Sequence, residues 1–402
     1  MKYDFETIMD RRGMDAIAVD SLGKGNPSFT PRGPGEGFDC IPMWVADMNF
    51  PACPTIPKAI TERVQHTAYG YFELREEYFE KIRWWQARRN GVTDLSTEMI
   101  GYENGVLGGV LSALGVFCSR GDSVLLHSPT YIGFTGSLTN CGYRIVHSPL
   151  YKEDGVWRMD LADMEEKIRT NRIHAAIFCS PHNPCGRVWT KEEILGFTEL
   201  CRKYDVHIIS DEIWSDIILG DHCHIPTQSV SEDAGNRTVA LYAPSKTFNL
   251  AGLPGSYHII YDPYIRQRVR KESSLSHYNN VNLLSMYALL GAYTPEGEEW
   301  LLELREVLGQ NIDYACLYIQ EHFPGVDVSR PEGTYMLFID CAGYCQTSGK
   351  TMDEILNACW KVGVAVQDGR PFHGETHIRM NLALPLSRVR EAFERLRLYV
   401  FV

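Results

Sequence analysis

Pro244-Ser245-Lys246 follows directly on the apolar run 238–243 (TVALYA), so a lysine stands where a strand gives way to a loop. On a surface such a lysine is a solvated cation. Held in a pocket, its desolvated amine becomes a nucleophile able to form a Schiff base with an aldehyde. Three further residues occupy the same kind of position. Tyr131 follows the run 123–128 (SVLLHS), Asn183 follows 174–180 (HAAIFCS), and Asp211 closes 206–211 (VHIISD). Each has an ordinary alternative: a turn aromatic, a turn residue before proline, a helix N-cap. Four coincidences at four strand ends argue instead for a shared task.

One cofactor needs this set. A pyridine ring whose nitrogen stays protonated needs a buried carboxylate against it, and Asp211 supplies one. The flat ring suits the aromatic face of Tyr131, and a ring hydroxyl suits the amide of Asn183 as donor. An aldehyde needs Lys246. A phosphate needs backbone N–H groups at a helix start, which Gly105-Val106-Leu107 offer with help from the Ser245 hydroxyl. These are the parts of pyridoxal 5′-phosphate (PLP). The chain contains neither GxGxxG nor GxxxxGK[ST], so the common dinucleotide and P-loop sites are not indicated.

The elements that must position these residues are legible in the apolar pattern. Short β-branched runs at 123–128, 143–148, 174–180, 206–211, 238–243 and 256–261 alternate with helical stretches. Among the latter are 161–169 and 191–204, the second opened by Thr190 and Glu193 in a capping-box pattern. Such alternation predicts an α/β fold with a mostly parallel sheet covered on both faces, whose ligands bind beyond the carboxyl ends of the strands. The run 105–118 (GVLGGVLSALGVFC) predicts a buried helix, being shorter than the ~20 residues of a membrane span. From residue 294 the texture changes to a long helix (298–323), short strands (335–340, 377–382) and a closing helix (386–400), an α+β pattern that predicts a smaller second domain. The expected division is a large PLP-binding domain over 50–290 and a small domain made of 1–49 and 291–402. The irregular Gly/Pro-rich stretch 23–37 is expected to lie across both.

Bulk properties agree with a folded enzyme. A chain of 402 residues is long for one core, and 44% hydrophobic with 22% charged residues describes no disordered protein. A net charge of −12 speaks against a nucleic-acid or anionic-membrane partner, either of which needs a basic face. Twelve scattered cysteines, without a CxxC pair and without a signal-peptide core in front, read as reduced cytoplasmic thiols. Asp221-His222-Cys223-His224 and the pair Cys341 and Cys345 carry metal-ligand types, but adjacent loop residues rarely converge on one ion and the pair lacks two further ligands, so no metal is expected.

Longer motifs sharpen the assignment. The stretches MWVADMNF (43–50), YGYF (69–72), SPHNPCGRVWTKEE (180–193), SDEIWSDI (210–217), SKTFNLAGL (245–253) and IRMNLALP (378–385) resemble the fold-type I PLP enzymes of the aspartate aminotransferase superfamily. Together they are most similar to the MalY/PatB-type cystathionine β-lyases, also called cysteine C–S lyases. The resemblance implies a PLP-dependent transferase-like large domain with a mostly parallel seven-stranded sheet, and a homodimer with shared active sites. It makes Lys246 the lysine that carries the cofactor, and Asp211, Asn183 and Tyr131 its ring partners. Arg379 falls on the position that grips the substrate α-carboxylate, a task suited to a bidentate guanidinium. Tyr71 falls on the tyrosine that reaches the cofactor phosphate from the partner subunit, with a core aromatic as the alternative. Trp44 and Ala46 fall on the substrate side. Two departures stand out. Trp214 replaces the tyrosine or histidine that usually follows the aspartate by three, although its indole N–H can still donate to the ring hydroxyl. Pro254 replaces an arginine of many aminotransferases, which favours the lyase branch and shifts the phosphate onto backbone amides. The implied reaction cleaves cystathionine or another L-cysteine S-conjugate to a thiol, pyruvate and ammonia. A class I/II aminotransferase and a catalytically silent PLP-fold regulator are the alternatives.

Overall fold

The computed structural model describes residues 1–24, 29–275 and 279–402; part of the stretch 23–37 therefore lies outside the described residues. The chain forms two compact units, one of Ala52–His182 with Arg187–Leu302, the other of Met1–Pro51, Asn183–Gly186 and Glu303–Val402.

The first unit is built on seven strands: β1 (Ile100–Glu103), β2 (Ser123–Ser128), β3 (Arg144–Pro149), β4 (Ala175–Cys179), β5 (His207–Asp211), β6 (Thr238–Tyr242) and β7 (Ser256–Ile259). Their order across the sheet is β1-β7-β6-β5-β4-β2-β3, and β7 alone runs against the rest. β4 and β6 are buried at every residue, as expected of parallel strands covered on both faces. The register pairs Cys179 with Asp211 and Asp211 with Leu241, so β4, β5 and β6 end side by side.

Helix α1 (Val106–Phe117) packs Val106, Val110, Ala113 and Leu114 onto Val124, Leu126, Ile177, Val239 and Leu241. Each such Val, Leu or Ile side chain contributes roughly 1.5–3 kcal/mol when fully buried. The approach is close because Gly109 has no side chain: a Cβ there would stand 2.5 Å from Leu241 Cδ2. The helix start at Gly105 is thereby drawn onto the sheet. Helix α2 (Lys191–Lys203) carries the expected capping box, with Thr190 Oγ1 accepting from the Glu193 N–H and Glu193 Oε2 from the Thr190 N–H.

The second unit holds a four-stranded antiparallel sheet in the order Asp327–Val328, Met336–Asp340, His377–Asn381, Gln367–Asp368. Ile41–Pro42 pairs in parallel with Val364–Ala365. The segment Asn183–Gly186 is tied to this unit through the Gly186 carbonyl, which accepts from the Glu332 and Gly333 N–H groups. Gly186 has φ +67°, and a Cβ there would meet Pro331 Cβ at 2.3 Å, so no other residue fits this turn. Among the described residues no helix is long and apolar enough to cross a membrane.

Candidate active site

In the first unit, the Lys246 turn begins as β6 ends. Phe248 N–H donates to the Pro244 carbonyl and Leu250 N–H to the Ser245 carbonyl, each at 2.9 Å. The neighbouring Thr247 hydroxyl donates to Asp216 Oδ2 at 2.8 Å, and the Trp85 indole N–H reaches the same buried carboxylate at 3.1 Å. Lys246 Nζ stands 5.6 Å from the centre of the Trp214 ring, and that ring is buried. Trp214, expected to offer its N–H to a ring hydroxyl, thus sets its negative face toward the lysine, an arrangement that favours an ammonium at Nζ.

Asp211 ends β5 beside this turn, 5% exposed. Its Oδ1 accepts the Ile213 N–H at 3.1 Å. Burial raises the carboxyl to about 7, against the pull of the Ile213 N–H and the Lys246 charge, while nearby Glu212 pushes it further up. A carboxyl in that condition gains from a cation set against it.

Glu212, the next residue, has the opposite fate. Burial pushes its carboxyl up, but His224, the Tyr242 hydroxyl and the Thr227 N–H outweigh burial and hold it below the ordinary glutamate value. His224 Nε2 lies 2.8 Å from Oε2, Tyr242 donates at 2.5 Å, and Thr227 N–H and Ser210 Oγ each donate at 2.9 Å. His224, a candidate metal ligand by residue type, is engaged here with a carboxylate. Adjacent carboxyls driven apart in this way are a mark of functional sites. Glu212 escaped the sequence reading because its partners come from three separate segments.

Tyr131 precedes the helix Ile132–Asn140 and meets Phe134 edge-on, with ring centres 5.4 Å apart. A Cβ at Gly133 would stand 2.3 Å from Tyr131 Cε1 and 2.9 Å from Leu107 Cδ1. The tyrosine ring and Leu107 therefore close over that glycine, which sets Tyr131 at the start of α1. Of the three amides expected to bind a phosphate, Gly105 N–H is spent on the Glu103 carbonyl at 2.9 Å, leaving Val106 and Leu107 in the first turn. Ser245 is half-buried beside Lys246. Tyr71 is fully exposed at 111% and lines a cavity of about 960 Å³ with Tyr69, Phe72, Tyr102 and Asn279, so it is no core aromatic.

In the second unit, Arg379 lies on the strand His377–Asn381, 4% exposed. Nη2 donates to the Trp44 carbonyl at 3.0 Å and to Gln367 Oε1; Nη1 reaches Asn183 Oδ1 at 3.4 Å. The guanidinium lies 4.4 Å from the Phe372 ring centre. These three acceptors are neutral oxygens, so none of them consumes the positive charge. The structure thus gathers Arg379, Asn183 and Trp44. The segment that includes Ala46 is pinned by Asn381 Nδ2, which donates to the Val45 and Asp47 carbonyls at 2.7 and 2.6 Å, and by the Tyr335 hydroxyl on the Ala46 carbonyl at 3.1 Å. Gln367, Phe372 and Tyr335 were not singled out from the sequence; Asn381 lay inside the IRMNLALP motif but had no assigned role.

The residues of the first unit fit PLP: a lysine just past one strand end, a buried carboxyl in want of a positive partner at the end of the neighbouring strand, and an aromatic at a helix start with first-turn amides. Residues 46–396 match the family described as Aminotransferase class I and II. The chain is 32% identical over 368 residues to cystathionine beta-lyase PatB of Bacillus subtilis (strain 168), covering 90% of this chain and 94% of that protein. The PLP-bound C-S lyase from Staphylococcus hominis superposes with a TM-score of 0.89 at 29% identity, covering 100% of this chain and 99% of that one. Cystalysin from Treponema denticola, which contains a pyridoxal 5′-phosphate cofactor, gives 0.90 at 30% identity, covering 99% and 98%.

Proposed function

Because the chain belongs to the class I and II aminotransferase family, we propose that it is a PLP-dependent carbon–sulfur β-lyase, cleaving L-cystathionine or another L-cysteine S-conjugate to a thiol, pyruvate and ammonia. The observation that carries the cofactor part of the reading is buried Asp211 at the end of one strand with Lys246 just past the end of its parallel neighbour, near enough for the lysine charge to act on the carboxyl.

When bound, PLP supplies an electron sink for the pair left at the substrate Cα. Asp211 would hold a proton on the ring nitrogen. Tyr131 would pack the ring face, Asn183 would donate to the ring hydroxyl, and Val106, Leu107 and Ser245 would hold the phosphate. Lys246 would carry the cofactor at rest. Its free amine would take the Cα proton as general base, and the Trp214 face would stabilise the resulting ammonium. Arg379 holds the substrate α-carboxylate, with Trp44 and Ala46 on the substrate side. The pair left at Cα would form the Cα–Cβ double bond as the Cβ–S bond breaks, so that the thiolate would leave and take up a proton, and hydrolysis of the remainder would give pyruvate and ammonia.

The exposure of Tyr71 supports a homodimer in which that side chain reaches the partner's phosphate. The cytoplasm is the proposed compartment, argued from twelve cysteines scattered along the sequence without a CxxC pair.

The test is incubation of PLP-loaded protein with L-cystathionine, and with a simple S-conjugate, with no keto acid present. Equal release of pyruvate and thiol supports β-elimination; product formed only on addition of a keto acid makes the protein an aminotransferase. Retained turnover and cofactor absorbance in Lys246→Ala would sink both readings.

A further inference from the structure

The strand Gln367–Asp368 is two residues long, yet its register sets Gln367 directly opposite Arg379 in an antiparallel pair. Directly paired residues point to the same face of a sheet, within reach of each other's side chains. Gln367 is 6% exposed, and its Oε1 accepts from Arg379 Nη2, the nitrogen that also serves the Trp44 carbonyl. Phe372 covers the flat face of the guanidinium. The group is thus held at one edge by an amide and across one face by a ring, which fixes its rotation.

The chemistry of the edge residue matters as much as its place. A carboxamide oxygen accepts a hydrogen bond without cancelling the charge. Glutamate has the same shape, but its charge would pair with the guanidinium and offset the attraction on which another carboxylate depends.

We propose that Gln367 is a positioning residue for carboxylate recognition: it sets the rotation of Arg379 and, being neutral, reserves the guanidinium for the carboxylate of the amino-acid substrate. This rests on the reading of Arg379 given above. Gln367 thereby selects ligands carrying an α-carboxylate over simple amines.

The experiment uses PLP-loaded wild type, Gln367→Glu and Gln367→Met. Two probes are titrated through the absorbance of the bound cofactor: L-alanine, which has no leaving group at Cβ, and ethylamine, its decarboxylated counterpart. In Gln367→Glu the dissociation constant for L-alanine rises about ten-fold or more, and KM for L-cystathionine rises alike while kcat moves less than about three-fold. In Gln367→Met, which loses the acceptor but adds no charge, the rise is about three-fold. Ethylamine binding stays within about two-fold in both, since it offers no carboxylate. Equal losses for the two probes would mean general damage and overturn the proposal, as would L-alanine binding at wild-type strength in either variant. If Gln367→Glu does not fold, the methionine variant decides alone. L-Alanine binding needs no elimination, so a wild type that binds L-alanine but releases no thiol from L-cystathionine defeats the lyase reading and leaves this one to be judged on its own.

Discussion

Replacing Asp211 by asparagine removes the charge that a PLP ring nitrogen would need and keeps the shape. Burial lifts the Asp211 carboxyl from 3.8 to about 7 in the folded chain without cofactor. Between those values the folded protein keeps a proton that the unfolded chain has lost. Stability of the cofactor-free protein therefore falls as pH rises through that window and levels off above about 7. Roughly three pH units at about 1.36 kcal/mol each make the loss about 4 kcal/mol. Asparagine does not titrate, so cofactor-free Asp211→Asn gains on wild type by about that amount between about pH 4 and about pH 8. Urea unfolding of the two proteins across this range measures the difference, and subtraction cancels the groups they share. PLP should reverse the order. Its protonated nitrogen offsets the buried charge in wild type only, so at about pH 8 the variant binds PLP about 100-fold more weakly or worse. A difference that stays flat across the window, or a cofactor-free variant that loses ground as pH rises, would refute the reasoning.

Glu212→Gln should cost about 3 kcal/mol near neutral pH, because His224 and Tyr242 lose a charged acceptor in a fully buried place. Since the folded value lies below the ordinary 4.5, the loss is complete above that pH and shrinks as pH falls through the folded value; unfolding at a series of acid pH values checks this. Gly133→Ala drives a methyl into Tyr131, costing about 1–3 kcal/mol and weakening PLP about ten-fold, read by thermal melting and by equilibrium titration of the cofactor. Tyr71→Phe removes a hydroxyl from a fully exposed side chain and should leave the unfolding midpoint in place while PLP is lost several-fold faster on dialysis; unchanged retention would rule out the cross-subunit role.

The strand ends at or just before Asp211 and Lys246 were legible in the sequence because β-strand patterning is local: apolar runs of six or seven residues mark β2 and β4 to β6 almost to the residue. The buried helix after Gly105 and the capping box at Thr190 were legible for the same reason, being signals confined to one or two turns. Partnership over long separations was not. That Tyr71 stands in the open and that the Trp214 ring faces Lys246 depend on how the chain returns upon itself. The strand that carries Gln367 is too short to show a period, and only sheet register sets it against Arg379. The contrast between Asp211 and Glu212 is the clearest case. The two carboxyls are adjacent and nearly alike in sequence, and both are buried. Hydrogen-bond donors from residues 224, 227 and 242 converge on Glu212 and hold it ionised, whereas Asp211 receives one backbone N–H and is left to desolvation. Donors and dielectric belong to the packed interior, so which carboxyl is left wanting a cation was decided by the tertiary structure alone.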